Sequence, residues 1–566
     1  MKKNLLPLLG LCLVLFASYW SFAPIFIQGF FPVHDDTQVA RVQQMSVALH
    51  DGMLPVRWVP DLGYGYGYPI FSFYGPFSYY VGAFFMFFGA DALIATKLMM
   101  TFGILLSGVG MYYLAKMYWG KAGGVVAALL YVYAPYHAVN IYVRGAVGEF
   151  FGYAFIPLVF YGVIKAYELG KFRYVAIAGL SYAALLSSHN LTGLMVTPFL
   201  VMLLLFLTLF SLRKDQKISF YFMYLSFLFG LLLSAFYWVP ALLEMGYTNV
   251  ISQVGGAADF REHYICLPQL WESSWGYGGS VRGCVDGLSF RMGKIHILLA
   301  GASLLLLPFV LRKQKKSAIA IVVAFIFLLL SVFFSTDLSK PIWKAVPVLS
   351  FIQYPWRFLS VISFFSSFLG GALIWFLIGE VGFIKKTRAF QVLILGVSVG
   401  LLVAFYAKLF VPQTIVQKTA SDYVKQETLR WDTSRISDEY LPIGFMRPLV
   451  PADVPISRFS VDSGNAVFAD DKNKTQVFSV NVRAKMQSRI HLNLAYFPGW
   501  KVYVDGDEVE YQVEKSGISV MVPPGEHIIE AKYVGTDVEN VADMITYISM
   551  FGLVTGIIFS WRRRLL

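Results

Sequence analysis

Long apolar stretches recur along this chain and are separated by short polar connections. Each is about twenty residues long, the length that a helix needs to cross a bilayer. The stretches lie near residues 5–27, 92–115, 122–138, 150–166, 173–188, 191–211, 218–240, 293–311, 317–335, 357–380, 389–411 and 542–560. Another apolar piece, residues 77–88, is too short to span comfortably, and we expect a re-entrant or half-depth helix there. The pattern predicts a polytopic α-helical membrane protein with about 12–13 transmembrane helices.

Residues 412–541 follow a different pattern, in which apolar and polar positions alternate as in half-buried strands. The positions that share a face are Phe478, Val480 and Val482 in one run and Ile490, Leu492, Leu494 and Tyr496 in the next. Asp505-Gly506 and Pro524-Gly525 are typical of turns between strands. We therefore expect three parts: a multi-pass domain over residues 1–411, a small extracytoplasmic β-sandwich over 412–541, and a final helix with a basic cytoplasmic tail over 542–566.

The composition requires lipid as the solvent for much of the surface. Of the 566 residues, 57% are hydrophobic and only 14% are charged, with a mean hydropathy of +0.61. A soluble chain would carry about a quarter charged residues. Met1-Lys2-Lys3 before the first apolar stretch could mark a secretory signal, but no clear cleavage site precedes Asp35, so we expect a retained first helix.

The net charge of +12 is explained by membrane topology and does not predict a nucleic-acid partner. Basic residues gather in short clusters between apolar stretches: Lys116 with Lys121; Lys165, Lys171 and Arg173; Arg213, Lys214 and Lys217; Arg312, Lys313, Lys315 and Lys316; Lys385, Lys386 and Arg388; and Arg562, Arg563 and Arg564. We place these clusters and both termini in the cytoplasm. The polar connections then fall outside, including a first outer loop at about 28–91 and a large one at about 241–292. The sequence thus predicts a multi-pass protein of the cell membrane whose active face is extracytoplasmic.

The first outer loop carries two adjacent carboxylates, Asp35 and Asp36, after His34. Repulsion between them would raise the pKa of one, which could then act as a general base. Together they could instead bind a divalent cation such as Mg²⁺ or Mn²⁺. The structural alternative is that Asp36, before Thr37, caps an interfacial helix.

The same loop continues into a strip rich in Gly, Pro and Tyr, residues 54–80, which includes Arg57. Such a strip suits a loop packed over a cavity, with aromatic faces for sugars or lipid headgroups. An aromatic belt at the membrane interface would explain the Tyr and Trp residues but not the Gly residues.

The motif "APYHAVNIYVRGAVGEF" brings His137, Asn140 and Arg144 into helical spacing, followed by Glu149. Arg144 could hold a phosphate there, since guanidinium groups match phosphate oxygens geometrically. The alternative is an internal pair between Arg144 and Glu149.

Two more motifs lie at predicted outer helix ends. "SSHN" contains His189 and Asn190, and "QYPWRF" contains Arg357 behind a Pro-Trp break. Arg357 is a second candidate for binding phosphate, or else an ordinary interfacial anchor. His189 is either functional or a structural histidine.

Cys266 and Cys284 share the large outer loop, where the compartment allows a disulfide. They could also remain as two free thiols.

The order of these parts resembles the GT-C superfamily of membrane glycosyltransferases. More closely, the chain resembles bacterial YfhO-like proteins and the membrane proteins described as 6-pyruvoyl-tetrahydropterin synthase related. The motifs that carry this resemblance span nearly the whole chain: "HDD", "YPIFSFYGPFSYY", "YAPYHAVNIYVRGAVGEF", "SSHN", "QYPWRF", "EYLP" and "YFPGWKVYVDG" with "VPPGEHIIEAKY".

The resemblance to GT-C enzymes implies transfer of a sugar from a polyprenyl-phosphate-linked donor to a glycan, lipid or protein acceptor of the cell envelope. An acid of the first outer loop is then the expected base, which assigns Asp35 or Asp36 this role, with the other orienting it or binding a metal. Substrate and phosphate would be bound by a group of polar side chains: His34, Arg57, His137, Arg144, Glu149, His189, Asn190 and Arg357.

Two other functions fit the same sequence. A transporter or flippase of envelope lipids or glycans would use the intramembrane charges as a path, and it predicts access from both faces. A non-catalytic envelope assembly protein would use the β domain for binding, and it predicts that Asp35 and Asp36 face no cations across a cavity.

Overall fold

The computed structural model describes residues 5–212, 217–256 and 258–562 and is mostly helical. Its main helices are α1 (Leu5–Ala17), α2 (Gln38–His50), α3 (Phe77–Phe87), α4 (Ala92–Val132), α5 (Val147–Leu169), α6 (Phe172–Ser188), α7 (Asn190–Leu212), α8 (Lys217–Leu233), α9 (Ala235–Leu243), α10 (Lys294–Leu305), α11 (Leu307–Lys313), α12 (Lys315–Ser335), α13 (Leu359–Glu380), α14 (Arg388–Tyr406) and α15 (Asp537–Arg562). Four residues of the predicted basic clusters lie outside the described residues, namely Arg213, Lys214, Arg563 and Arg564, as do Lys2 and Lys3 at the N-terminus.

The predicted apolar stretches fall on these helices, and the prediction of a polytopic helical membrane protein is confirmed. Within the described residues, eight helices are long and apolar enough to cross a membrane, or ten if two bent pairs are counted. Helix α4 joins two predicted crossings into one element of 41 residues, bent at Gly120 where φ is 61°. Gly108 and Val132 are in contact, so the two halves fold back on each other and are two helices joined at Gly120. Helix α6, with 17 residues, is slightly shorter than a typical span.

The short apolar piece at 77–88 forms α3, which has 11 residues. Its length of about 16 Å is half the thickness of the hydrocarbon core, as expected for a half-depth helix. It packs on α2, where the Tyr79 hydroxyl donates a hydrogen bond to Gln38 Oε1 at 2.6 Å. Helix α3 therefore supports the segment that follows the acidic pair.

The C-terminal strands form two antiparallel sheets, as the alternating pattern predicts. They are β1 (Phe459–Ser463), β2 (Ala466–Lys474), β3 (Val477–Ala484), β4 (Ser488–Leu492), β5 (Trp500–Val504), β6 (Asp507–Val509), β7 (Gln512–Glu514), β8 (Gly517–Val522) and β9 (Gly525–Tyr533). The strand orders are β1-β4-β8-β7 and β2-β3-β9-β5-β6. Phe478, Val480 and Val482 of β3 are buried, because successive side chains of a strand point to opposite faces.

The β strands rest on the Gly, Pro and Tyr strip of the first outer loop. The buried Arg458 donates hydrogen bonds to the carbonyl oxygens of Gly65 and Pro60, both at 2.5 Å. The rings of Trp58 and Trp500 meet edge to face at 5.3 Å between centroids. The sequence predicts that this strip packs over a cavity. In the structure, part of it instead supports the β strands.

Candidate active site

The loop that carries Asp35 is held against the turn that follows a π-helical segment, Val139–Arg144. The backbone N–H of Asp35 donates to the carbonyl oxygen of Arg144 at 3.0 Å. Gly145 has a φ of 63°, and a side chain there would collide with Val33. Gly145 therefore allows the first outer loop to approach the segment that carries Arg144.

Arg144 lies in a buried polar cluster with Glu149 at the start of α5. Its Nη1 donates to Glu149 Oε2 at 2.7 Å and to Asn140 Oδ1 at 2.6 Å. Tyr136 donates to Glu149 Oε1 at 2.5 Å, and the Trp356 ring lies 4.8 Å from the Arg144 guanidinium. The structure thus forms the internal pair that the sequence leaves open, and places Asn140 on the same face as Arg144.

Arg357 brings a second cation to the same carboxylate. Its Nε lies 3.7 Å from Glu149 Oε2, and its Nη1 donates to the carbonyl oxygen of Ile352 at 3.1 Å. Among the described residues, Arg144 and Arg357 have Glu149 as their only salt-bridge partner. Two buried guanidinium groups that share one carboxylate leave one positive charge in excess. An anionic ligand such as a phosphate would balance it.

The two adjacent carboxylates have different surroundings. Burial lowers the pKa of Arg144, but Glu149, Tyr136 and, to a smaller extent, Asp35 raise it above its ordinary value. Burial raises the pKa of Asp36, an effect that Lys418 partly opposes. Asp35 is therefore the carboxylate that faces the cationic cluster, whereas Asp36 faces Lys418.

The acidic pair does not acquire the further ligands of a metal site. Across residues 5–212, 217–256 and 258–562, no group of three or more His, Cys, Asp and Glu side chains could hold a metal ion. Two carboxylates alone leave most positions around Mg²⁺ or Mn²⁺ to water or substrate. The residues present therefore do not build a protein cage for the predicted cation.

The predicted residues His189, His137 and Asn190 differ in whether they face the charged cluster. His189 is within electrostatic range of Glu149 and both arginines, and its Nδ1 lies 2.8 Å from Thr192 Oγ1. His137 instead points away, since its Nδ1 lies 2.8 Å from the carbonyl oxygen of Val132. Asn190 is exposed, and its Oδ1 accepts from the neighbouring backbone N–H of Leu191.

Arg57 does not join the cluster around Glu149. Its Nη2 donates to Asp543 Oδ1 at 2.5 Å, and its Nη1 lies 3.6 Å from Glu539 Oε1. Both partners belong to α15, so Arg57 ties the first outer loop to the last helix.

The large outer loop covers the site. Cys266 and Cys284 form a disulfide with a Cα–Cα distance of 5.6 Å. Of the two alternatives that the sequence left open, a disulfide or two free thiols, the structure has the disulfide. Between the two cysteines, the carbonyl oxygen of Tyr277 accepts from His34 Nε2 at 2.9 Å. Ser280 Oγ accepts from Trp356 Nε1 at 3.0 Å, so the loop touches both the acidic loop and the ring over Arg144.

A further buried cation, Arg41 of α2, was missed by sequence reasoning; like Asp35, it lies within electrostatic range of Tyr74 and Tyr79. Its guanidinium lies 4.3 Å from the Tyr74 ring centroid and its Nη2 donates to Ser437 Oγ at 2.7 Å. Ser437 in turn donates to Glu439 Oε1 at 3.0 Å. The only signal was the motif "EYLP", which begins at Glu439, because Arg41 looks like an ordinary residue of an amphipathic helix.

A family model described as "6-pyruvoyl-tetrahydropterin synthase related domain; membrane protein" matches residues 71–409. This agrees with the resemblance seen in the sequence. A protein of Lactococcus lactis subsp. cremoris (strain MG1363), described as uncharacterized, is 26% identical over 247 residues. The match covers 42% of this chain and 40% of that protein, so less than half of the relative is spanned.

Two solved structures match this chain at low sequence identity. The oligosaccharyltransferase of Archaeoglobus fulgidus, with a tethered acceptor peptide, is 13% identical with a TM-score of 0.48, over 80% of this chain and 61% of that one. ArnT from Cupriavidus metallidurans, bound to undecaprenyl phosphate, is 11% identical with a TM-score of 0.33, over 71% of this chain and 88% of that one. At these scores neither likeness assigns a reaction or a residue to this chain.

Proposed function

We propose that this chain, which belongs to the 6-pyruvoyl-tetrahydropterin synthase related family of membrane proteins, transfers a sugar from a polyprenyl-phosphate-linked donor to an acceptor of the cell envelope. One observation carries the proposal. A loop carboxylate, Asp35, lies beside a buried cluster with an excess positive charge, and displacement of a lipid phosphate from a sugar needs both groups.

In this mechanism Asp35 accepts the proton of the acceptor hydroxyl as its oxygen bonds to the anomeric carbon. The bond from that carbon to the phosphate oxygen breaks, and the phosphate leaves with its negative charge. Arg144 and Arg357 stabilise that charge, because buried guanidinium groups interact with it more strongly than in water. Glu149 keeps the two arginines together before the donor binds.

Asp36 has a supporting role in the same proposal. Burial raises the pKa of its carboxyl, and Lys418 and Tyr423 surround it. We assign it to positioning the loop, so its loss should weaken transfer less than the loss of Asp35. Asp35 and Asp36 are the residues that would hold a divalent cation, and such a cation would offset the negative charge of the leaving phosphate.

The test is transfer of a radiolabelled hexose from undecaprenyl phosphate to endogenous acceptors in membranes that contain the full chain. Asp35→Asn should lower the rate by about 100-fold or more, the usual worth of a general base. Asp91→Asn is the matched control, because Asp91 caps α4 through the N–H of Ile94, has no contact with the charged cluster among the described residues, and should leave the rate unchanged.

Two outcomes would contradict the proposal. Equal transfer by the wild type and Asp35→Asn would remove the base from the mechanism. If the wild type moves the labelled lipid across the bilayer without transferring its sugar, the chain is a transporter and not a glycosyltransferase.

A further inference from the structure

A groove of about 620 Å³ opens far from the candidate active site. Glu149 lies at the start of α5 and Glu168, on the groove wall, lies near its end. At 1.5 Å per residue these positions are about 28 Å apart, close to the full hydrocarbon thickness. The groove therefore belongs to the membrane leaflet at the basic ends of the helices, which the charge pattern places in the cytoplasm.

The groove is apolar inside and basic at its mouth. Its walls come from α4, α5, α7, α12 and α13, and include Phe160, Leu203, Ala320 and Phe364. At the mouth, Glu168 pairs with both Lys165 and Lys316, and Lys315 has no salt-bridge partner in the part of the chain that the structure describes. Three lysines around one glutamate leave an excess of two positive charges.

The depth of the groove corresponds to one leaflet. Along α12 it runs from Lys315 to Phe327, which is about 18 Å at 1.5 Å per residue. Half of the hydrocarbon core is about 15 Å thick. An acyl chain that enters beside the lysines would therefore end near Phe327, within a single leaflet.

Aromatic side chains close the groove below the charged cluster. On α13, Ser360 Oγ lies 3.4 Å from Glu149 Oε1, and Phe364 and Phe365 follow one turn later. Both rings are buried and both line the groove. A ligand in the groove is thus separated from the proposed donor phosphate by a layer of aromatic rings.

We infer that this groove binds one anionic phospholipid of the surrounding leaflet, with its phosphate at Lys315 and Lys316 and one acyl chain along α12. Apolar walls require a hydrocarbon occupant, because an empty groove loses dispersion contacts on one side. The basic mouth selects an anionic headgroup over a zwitterionic one, since each lysine near an anionic lipid strengthens binding about fivefold. This site is independent of the proposed sugar transfer.

The experiment compares lipid binding to the full-length protein by native mass spectrometry. Delipidated protein is titrated with phosphatidylglycerol or with phosphatidylcholine of the same acyl chains. One phosphatidylglycerol should bind per chain, at least about fivefold more tightly than phosphatidylcholine. Lys315→Gln with Lys316→Gln should abolish that preference.

A second set of variants tests the inference by filling the groove with a larger side chain. Ala320→Phe places a ring where the acyl chain would lie, and should remove the bound lipid of either kind. Val322→Phe is its matched control, because Val322 is exposed on the same helix outside the groove. Lys385→Gln with Lys386→Gln is the control for charge, because both lysines are exposed at the same end of the fold.

Four results would overturn the inference, of which three come from the lipid titrations. These are equal binding of the two phospholipids, an unchanged preference in the lysine double variant, and preferential binding of undecaprenyl phosphate over phosphatidylglycerol. If Ala320→Phe fails to fold, the lysine double variant decides alone. A dimer that excludes lipid from the groove would also contradict it.

Discussion

Replacing the carboxylate of Glu149 is the most direct test of the charged cluster that it forms with Arg144 and Arg357. It accepts from Arg144 at 2.7 Å and from Tyr136 at 2.5 Å, with Asn140 and Ser360 each at 3.4 Å. All four groups donate hydrogen bonds, so a carboxylate is the side chain that fits. In Glu149→Gln the amide nitrogen would face a donor, and two buried guanidinium groups would lose their shared counter-charge.

We expect this substitution to cost about 3–5 kcal/mol, the usual effect of removing one partner from a buried ion pair. The measurement is the thermal unfolding midpoint of the full chain in detergent. Glu380→Gln is the matched control: Glu380 pairs with the exposed Lys313 at the basic end of α13, and such a pair contributes at most about 1 kcal/mol.

Addition of a lipid phosphate tests whether the cluster around Glu149 is only a structural ion pair or also a phosphate-binding site. Without Glu149 the cluster has two positive charges in excess, so undecaprenyl phosphate should bind and restore part of the lost stability. At a concentration one hundred times its Kd, a ligand adds about 2.7 kcal/mol. The reasoning is refuted if Glu149→Gln destabilises the protein no more than Glu380→Gln does. If the lipid phosphate stabilises both variants equally, the cluster does not bind it.

Three further predictions concern the elements around the site. Replacing Cys266 and Cys284 by Ser should speed hydrogen exchange at residues 275–284, because the disulfide closes this loop, whereas Cys12→Ser should leave exchange there unchanged. Burial raises the pKa of Glu244 to about 7, so its stabilising contribution is present at low pH and lost as the pH rises through that value. Glu244→Gln should therefore raise the thermal midpoint more at about pH 8 than at about pH 5, and equal shifts would contradict this. Arg458→Met should leave the carbonyl groups of residues 60 and 65 without their hydrogen-bond donor, and residues 412–541 should then be cleaved faster by protease. Arg483→Met, which removes an exposed ion pair, should not change the rate of cleavage.

The length of the apolar stretches predicted the helices, and the alternation of apolar and polar positions predicted the strands, because both patterns are local consequences of what each element must bury. The twelve predicted stretches fall on helices, and Phe478, Val480 and Val482 face inward on β3. The count of crossings was less certain, because the bend at Gly120 in α4 depends on packing and not on hydropathy.

The sequence also placed Arg144, Glu149 and Arg357 among the candidates, because ionisable groups at predicted membrane depth are costly and rare. It left open whether Arg144 paired with Glu149 or stayed free for a phosphate. The structure forms the pair with Glu149, and Arg357 lies beside the same carboxylate; binding of a phosphate stays a prediction.

What the sequence by itself determined was the class of protein, the change from helical to strand periodicity, and the motifs that carry chemistry. Only the tertiary structure decided that Asp35 lies beside Arg144 while Asp36 lies near Lys418, and that Arg57 pairs with α15. The physical reason is distance along the chain. Hydropathy and spacing act over one or two turns, whereas the partners of these charges lie more than one hundred residues away and meet only when the helices pack.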